Sequence, residues 1–145
     1  MEALKIVLMS VVATMAYRVV QDQVTIRVCV EYVAMGHSPV FATDSPALMA
    51  YGRWMIATWW YGLLLGIPLA AAARFGSKPK TRAATLRDPM SFILVRVACY
   101  AVLGGLAGYF AAKQGWIRAI EPMTQGIVPE REATYIAVLW AHWTA

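Results

Sequence analysis

The sequence predicts an all-α integral membrane protein: a small helical bundle with three full transmembrane helices, a partial fourth, and a short extended β-like segment on the outer side. Three observations lead there. Charged residues make up 14% of the 145-residue chain against 60% hydrophobic, with a mean hydropathy of +0.55, whereas a soluble domain carries about 25% charge to cover its surface. Met55 to Ala73 is uncharged throughout, and Ser91 to Ala112 is broken only by Arg96; about 20 helical residues cross a hydrocarbon core of about 30 Å. Finally, the cations gather between these two runs instead of spreading over a polar face.

The first helix is expected over about 3–20. Lys5 and Arg18 stand near its ends, where long cationic side chains reach the headgroups. Read as a signal peptide, the segment has a poor cleavage site, because Ala13 is followed two positions on by Met15. A retained helix is therefore the expectation. An outer connection over 21–45 follows. Within it Val24, Ile26, Val28, Val30 and Tyr32 alternate with Thr25, Arg27, Cys29 and Glu31. Period two with dense β-branching predicts a strand. A strand needs a partner for its edge, and the internal candidate is Gly115 to Glu121.

The second helix is expected over 46–75. Asp44 or Ser45 can cap it, Pro46 suits its first turn, Gly76 is a stop signal, and Pro68 should kink it. The third is expected over 89–114, capped by Asp88, opened by Pro89 and closed by Gly115. The fourth, over 129–145, opens on Pro129, Glu130 and Glu132, but its apolar part, Ala133 to Ala145, reaches only about 20 Å at 1.5 Å per residue. A natural span that continues past residue 145 is expected.

Arg74, Lys78, Lys80, Arg82 and Arg87 form a dense basic stretch, most of it in the predicted loop 76–88. By the positive-inside rule this loop is cytoplasmic, which places the amino terminus inside and makes the chain a multi-pass protein of the cell membrane. Anionic lipid headgroups are the expected partners of Lys78, Lys80, Arg82 and Arg87. Another membrane protein, or a second copy, is a further expected partner. Nucleic acid is not.

Gly62, Gly66 and Ala70 recur at intervals of four on the second helix, as do Gly104 with Gly108 and Ala101 with Gly105 on the third. Small residues at this spacing let backbones approach. Since a short loop joins the two helices, they are expected to pack on each other, antiparallel.

The candidate polar-site residues are Arg53, Arg96, His142, His37 and Tyr61. Ionisable residues within spans mark functional sites by default. Arg53 could pair with Glu31 or Asp44, Arg96 could snorkel, and His142 could hydrogen-bond a neighbouring helix. With the first helix ended at residue 20, no acidic residue falls inside a span, which argues against a proton relay. Cys29 and Cys99 are too far apart for a disulfide, and no His-x-x-x-His or Cys-x-x-Cys spacing suggests a metal. No cofactor is expected. Without a nucleophile elbow, phosphate loop or dinucleotide fingerprint, the expected role is non-enzymatic: an accessory or assembly subunit of a membrane complex. The alternative is a small oligomeric transporter or lipid-binding membrane protein.

Overall fold

The computed structural model describes residues 1–35, 45–75, 79–120 and 127–145. Every regular element among them is a helix: α1 (Glu2–Val28), α2 (Val30–Met35), α3 (Pro46–Arg74), a 3-10 turn (Ala83–Leu86), α4 (Arg87–Lys113) and α5 (Pro129–Thr144). Two stretches are long and apolar enough to cross a membrane, α1 and the continuous run Ala83–Lys113. In each, only 11% of the apolar window is buried within the chain. The core helix of a soluble protein would be mostly covered, so these helices present hydrocarbon outward. Against the three full spans expected from the sequence, two therefore meet the requirement among the described residues.

The expected β-like segment is absent from the described residues. Instead, α1 runs on through Val28, and after one extended residue, Cys29 (φ −150°, ψ 92°), the chain resumes as α2. Residues 115–120, the proposed partner strand, are irregular. The reason lies in a second periodicity that the alternation of Val and Ile obscured. Asp22, Thr25, Cys29 and Val33, spaced by three or four, are the residues this segment buries. A helix also satisfies its own backbone, which a lone strand next to lipid cannot do.

The helix ends follow their local chemistry. Ser45 caps α3, its hydroxyl accepting from the Leu48 N–H at 3.5 Å, with Pro46 at the first helical position. Asp88 was expected to cap the third span. The 3-10 turn instead leads directly into α4, so Asp88 and Pro89 sit within its first turn, where proline has no intrahelical bond to lose. At the other end Gly115 takes φ +72°, Gly115 N–H reaches Ala112 O, and Trp116 N–H reaches Ala111 O, both at 3.0 Å. These are the paired bonds of a Schellman closure.

Small residues do set the helix pairing, but with other partners than expected. A Cβ on Gly62 would strike Val11 Cα, and one on Gly66 would lie 3.0 Å from Val7 Cα. As the α3 number rises the α1 number falls, so α1 and α3 are antiparallel. Likewise Gly108 faces Trp140, where a Cβ would lie 2.7 Å from the ring, and Gly104 faces Thr144. Thus α4 and α5 form a second antiparallel pair, and α3 makes no close approach to α4 among the described residues. The connection between them explains this. The Ala83 N–H donates to Glu2 Oε2 at 3.1 Å, and Ala83 packs with Ile6 and Ala70. The chain is thereby pinned under the start of α1, and α4 rises away from α3.

The two glycines on α3 meet α1 backbone, which cannot yield as a side chain can. Gly62→Ala should therefore destabilise the protein by about 1 to 3 kcal/mol, the cost of overpacking. Gly104→Ala, whose neighbour is the Thr144 side chain and not backbone, should lose less. Thermal unfolding in detergent measures both; an unchanged midpoint for Gly62→Ala contradicts the close approach.

Candidate functional site

Polar residues recur every four positions along α1: Ser10, Thr14, Arg18 and Asp22. The first two are satisfied within the helix, Ser10 Oγ donating to Ile6 O at 3.0 Å and Thr14 Oγ1 to Ser10 O at 2.8 Å. Arg18 and Asp22 are charged, and no backbone carbonyl can neutralise them. Asp22 is 2% exposed. Its Oδ1 lies 3.6 Å from Arg18 Nη2 on its own helix and 3.5 Å from His142 Nε2 on α5. These are ion-pair distances, and neither carboxylate oxygen closes a hydrogen bond among the described residues.

The surroundings hold this arrangement in place. Arg18 Nη1 donates to Gln21 Oε1 at 3.1 Å, and Gln21 Nε2 reaches across to Ala141 O at 3.5 Å. His142 Nδ1 lies 2.9 Å from Val138 O on its own helix. A carbonyl only accepts, so Nδ1 carries the hydrogen. With a second hydrogen on Nε2 the ring is a cation facing the carboxylate. Tyr32 of α2 lies against the imidazole, ring centroids 4.7 Å apart, and against Tyr135 at 5.8 Å. These rings close the cluster on the α2 side.

Its depth follows from the α4–α5 pairing. Ala141 and Thr144 lie beside Gly105 and Gly104, which stand at the middle of the uncharged α4 run Val97 to Ala112. The carboxylate, imidazole and guanidinium are thus level with the centre of a run about 24 Å long at 1.5 Å per residue.

A second ion pair lies beyond the Val28 end of α1. Arg131 Nε donates to Glu31 Oε1 at 3.1 Å and Arg131 Nη2 to Glu31 Oε2 at 3.2 Å, a two-pronged pairing, and Nη2 also reaches Val28 O at 3.1 Å. The guanidinium's hydrogen bonds lower the Glu31 carboxyl from the ordinary 4.5 to about 2. Arg131 is itself pushed up by the same partner. The buried Cys29 thiol donates to Glu31 Oε2 at 3.2 Å; burial chiefly raises it to about 11, which keeps it protonated and unreactive at neutral pH.

Of the residues singled out from sequence, only His142 enters the cluster. Arg96 is exposed, its guanidinium 5.1 Å from the centroid of the Phe92 ring. Tyr61 is also exposed, stacked on Trp60 at 3.8 Å on the outward side of α3. Arg53 belongs to α3, and the register that sets Gly62 against Val11 brings its backbone level with Val20. Glu31, a partner considered for it, is held by Arg131. His37, Asp44 and Lys78 lie outside the described residues. Lys80, Arg82 and Arg87 are exposed and Arg74 is half-buried, its Nη1 reaching Thr81 O at 3.5 Å. Gly62, Gly66, Gly104 and Gly108 line the two helix interfaces, not the cluster.

The inference that no acidic residue falls inside a helix is corrected by Asp22. It followed from ending the first helix at residue 20; the four-residue spacing from Ser10 to Asp22 was the signal that could have found it. Compared with protein-family models, curated proteins and solved structures, the chain matches none.

Removing one member of a buried charge set strands the rest, at about 3 to 5 kcal/mol. Asp22→Ala should lose stability on that scale. A double-mutant cycle of Asp22→Asn with His142→Gln should show coupling of about 0.5 to 3 kcal/mol; strict additivity in detergent unfolding contradicts the contact. The Glu31 pairing has its own pH signature. A carboxyl lowered by folding contributes stability that is complete above about pH 4.5 and is lost as pH falls toward 2. The unfolding midpoint should therefore drop between pH 5 and pH 2.5, and drop less in Arg131→Ala; equal drops contradict it.

Proposed function

We propose that the chain is a non-enzymatic, multi-pass membrane protein that serves as an accessory or assembly subunit of a membrane complex. On this reading α3 joins α1 and α4 as a third span, since its 29 residues include the uncharged run Met55 to Ala73, and α5 enters from the same side as α2. The observation that carries the reading is the inward use of the polar groups. Asp22, Arg18 and His142 face one another between α1 and α5 under the tyrosine rings, so their mutual contacts fasten helices together. The outward faces are hydrocarbon and aromatic: Trp59, Trp60, Leu64 and Leu65 on α3, and Val102, Leu103 and Phe110 on α4. Because α3 pairs with α1 alone among the long helices, most of its circumference is left to lipid or to another protein's helix.

On this reading the amino terminus is cytoplasmic. With Arg18 drawn into the bundle, Lys5, Arg74, Lys78, Lys80, Arg82 and Arg87 stand against Arg27, Lys113, Arg118 and Arg131 at the opposite end. The denser set marks the inner side. One observation favours a second reading, small-scale proton transport. An intramembrane carboxylate beside an imidazole is the pairing that proton pathways use, and the Asp22 oxygens close no hydrogen bond among the described residues.

Two measurements separate these readings. Purification in mild detergent should recover the chain with a stoichiometric protein partner, and the chain reconstituted alone in vesicles should pass no protons down an imposed pH gradient. A proton flux that disappears in Asp22→Asn overturns the accessory role in favour of transport. For topology, a cysteine placed at Lys80 should react with an impermeant thiol reagent only after the cells are opened; labelling of intact cells reverses the orientation.

A further inference from the structure

Helices α1 and α4 scarcely touch, and between them, floored by α5, runs an open groove of about 420 Å³. Its walls include Val24 and Val28 of α1, Val102, Leu106 and Tyr109 of α4, and Val138 of α5. The one amide in the lining, Gln21, turns its polar end to Arg18 and Ala141 O and leaves its methylenes to the groove. Along α1 the lining extends from Tyr17 to Val28, about 16 Å at 1.5 Å per residue. That is about half of a hydrocarbon core about 30 Å thick, and on α4 the lining runs from Ala98 to Tyr109, to either side of Gly105.

The groove also has polarity along its length. At its outer end Lys113 stands one turn beyond Tyr109, its ammonium 5.7 Å from that ring's centroid. Arg27 is the residue next to Val28, exposed and bonded only to Gln23 of its own helix among the described residues. Arg131 reaches Val28 O there as well, but its charge is matched by Glu31. Two exposed cations therefore stand within one turn of the last lining residues, Tyr109 and Val28. At the inner end, near Ala98 and Tyr17, the lining carries no charged side chain.

We infer that this groove is a binding site for one anionic glycerophospholipid of the leaflet on the Lys113 side, with an acyl chain between α1 and α4 and its phosphate at Lys113 and Arg27. A chain lying here covers surface that neither helix pair covers for itself. The headgroup meets cations that no acidic side chain holds among the described residues. The inference rests on the membrane reading above and is independent of the accessory role.

The test is native mass spectrometry of the full-length protein, released from micelles containing equal amounts of phosphatidylglycerol and phosphatidylcholine with identical acyl chains. The wild type should retain one lipid, with phosphatidylglycerol favoured about thirtyfold, the ratio that about 1 kcal/mol for each of two cations near a membrane surface gives. Val102→Trp fills the groove from an exposed position and should abolish retention. Lys113→Glu, also at an exposed position, should keep a lipid but erase the preference. Free inorganic phosphate should not displace it. A wild type that retains no lipid, or indifference of retention to both substitutions, overturns the site. Should that happen while the chain still requires detergent and still brings down a protein partner, the lipid site fails and the accessory reading stands.

Discussion

A carboxylate that is almost wholly enclosed, level with the centre of an uncharged helical run, is the constraint around which this chain is arranged. Asp22 must be neutralised from within the protein, because a charge stranded in a low-dielectric interior costs several kcal/mol even after relaxation. Its own helix can present one cation, Arg18, one turn away. The second neighbour, His142, belongs to α5. Thus the requirement that stabilises the charge also determines that α5 lies against the C-terminal half of α1. Gln21 reinforces the same seam by donating to Ala141 O. Since lipid gives helices no hydrophobic reason to associate, a polar seam of this kind supplies what close packing alone would have to provide.

Close packing accounts for the rest of the arrangement. Gly62 and Gly66 bring α3 onto α1 backbone to backbone, and Gly104 and Gly108 admit Thr144 and Trp140 of α5 against α4. The outcome is two antiparallel pairs, with α1 a member of one and the polar anchor of the other. The Ala83 N–H bonded to Glu2 fixes the opposite end, and the pairs are left apart where α1 faces α4. The groove is a consequence of that division: Gly62 and Gly66 are used on α1, Gly104 and Gly108 on α5, and Val24 and Val28 of α1 face Val102 and Leu106 of α4 across the gap.

The helical, membrane-directed character of the chain was legible in composition and in the long uncharged runs, because both depend on chain-local quantities that folding does not change. The Ser45 cap, Pro46 and the Gly115 closure were legible for the same reason. What failed was the reading of residues 21–32. Val24, Ile26, Val28 and Val30 satisfy a period of two, yet Asp22, Thr25 and Cys29 satisfy a helical period at the same time, and only burial decides between them. Ending α1 too early concealed Asp22 and placed Arg18 on a flank, so the cluster could not be assembled. The glycine rows were seen, but their partners were assigned by loop length alone. A hydrogen bond across eighty-one residues, from the Ala83 N–H to the Glu2 carboxylate, redirected α4, and no local pattern announces such a contact.

The most direct test of this arrangement is thiol cross-linking in native membranes, in a background with Cys29 and Cys99 replaced by serine. A short bifunctional reagent should join cysteines introduced at Gln21 and Ala141, whose parent residues meet across the α1–α5 seam at 3.5 Å. The same reagent should leave unjoined a pair at Leu65 and Leu103, on α3 and α4. Efficient joining of Leu65 to Leu103 with none between Gln21 and Ala141 would show that α3 and α4 are the true neighbours, and the buried charge would lose its place as the organiser of the fold.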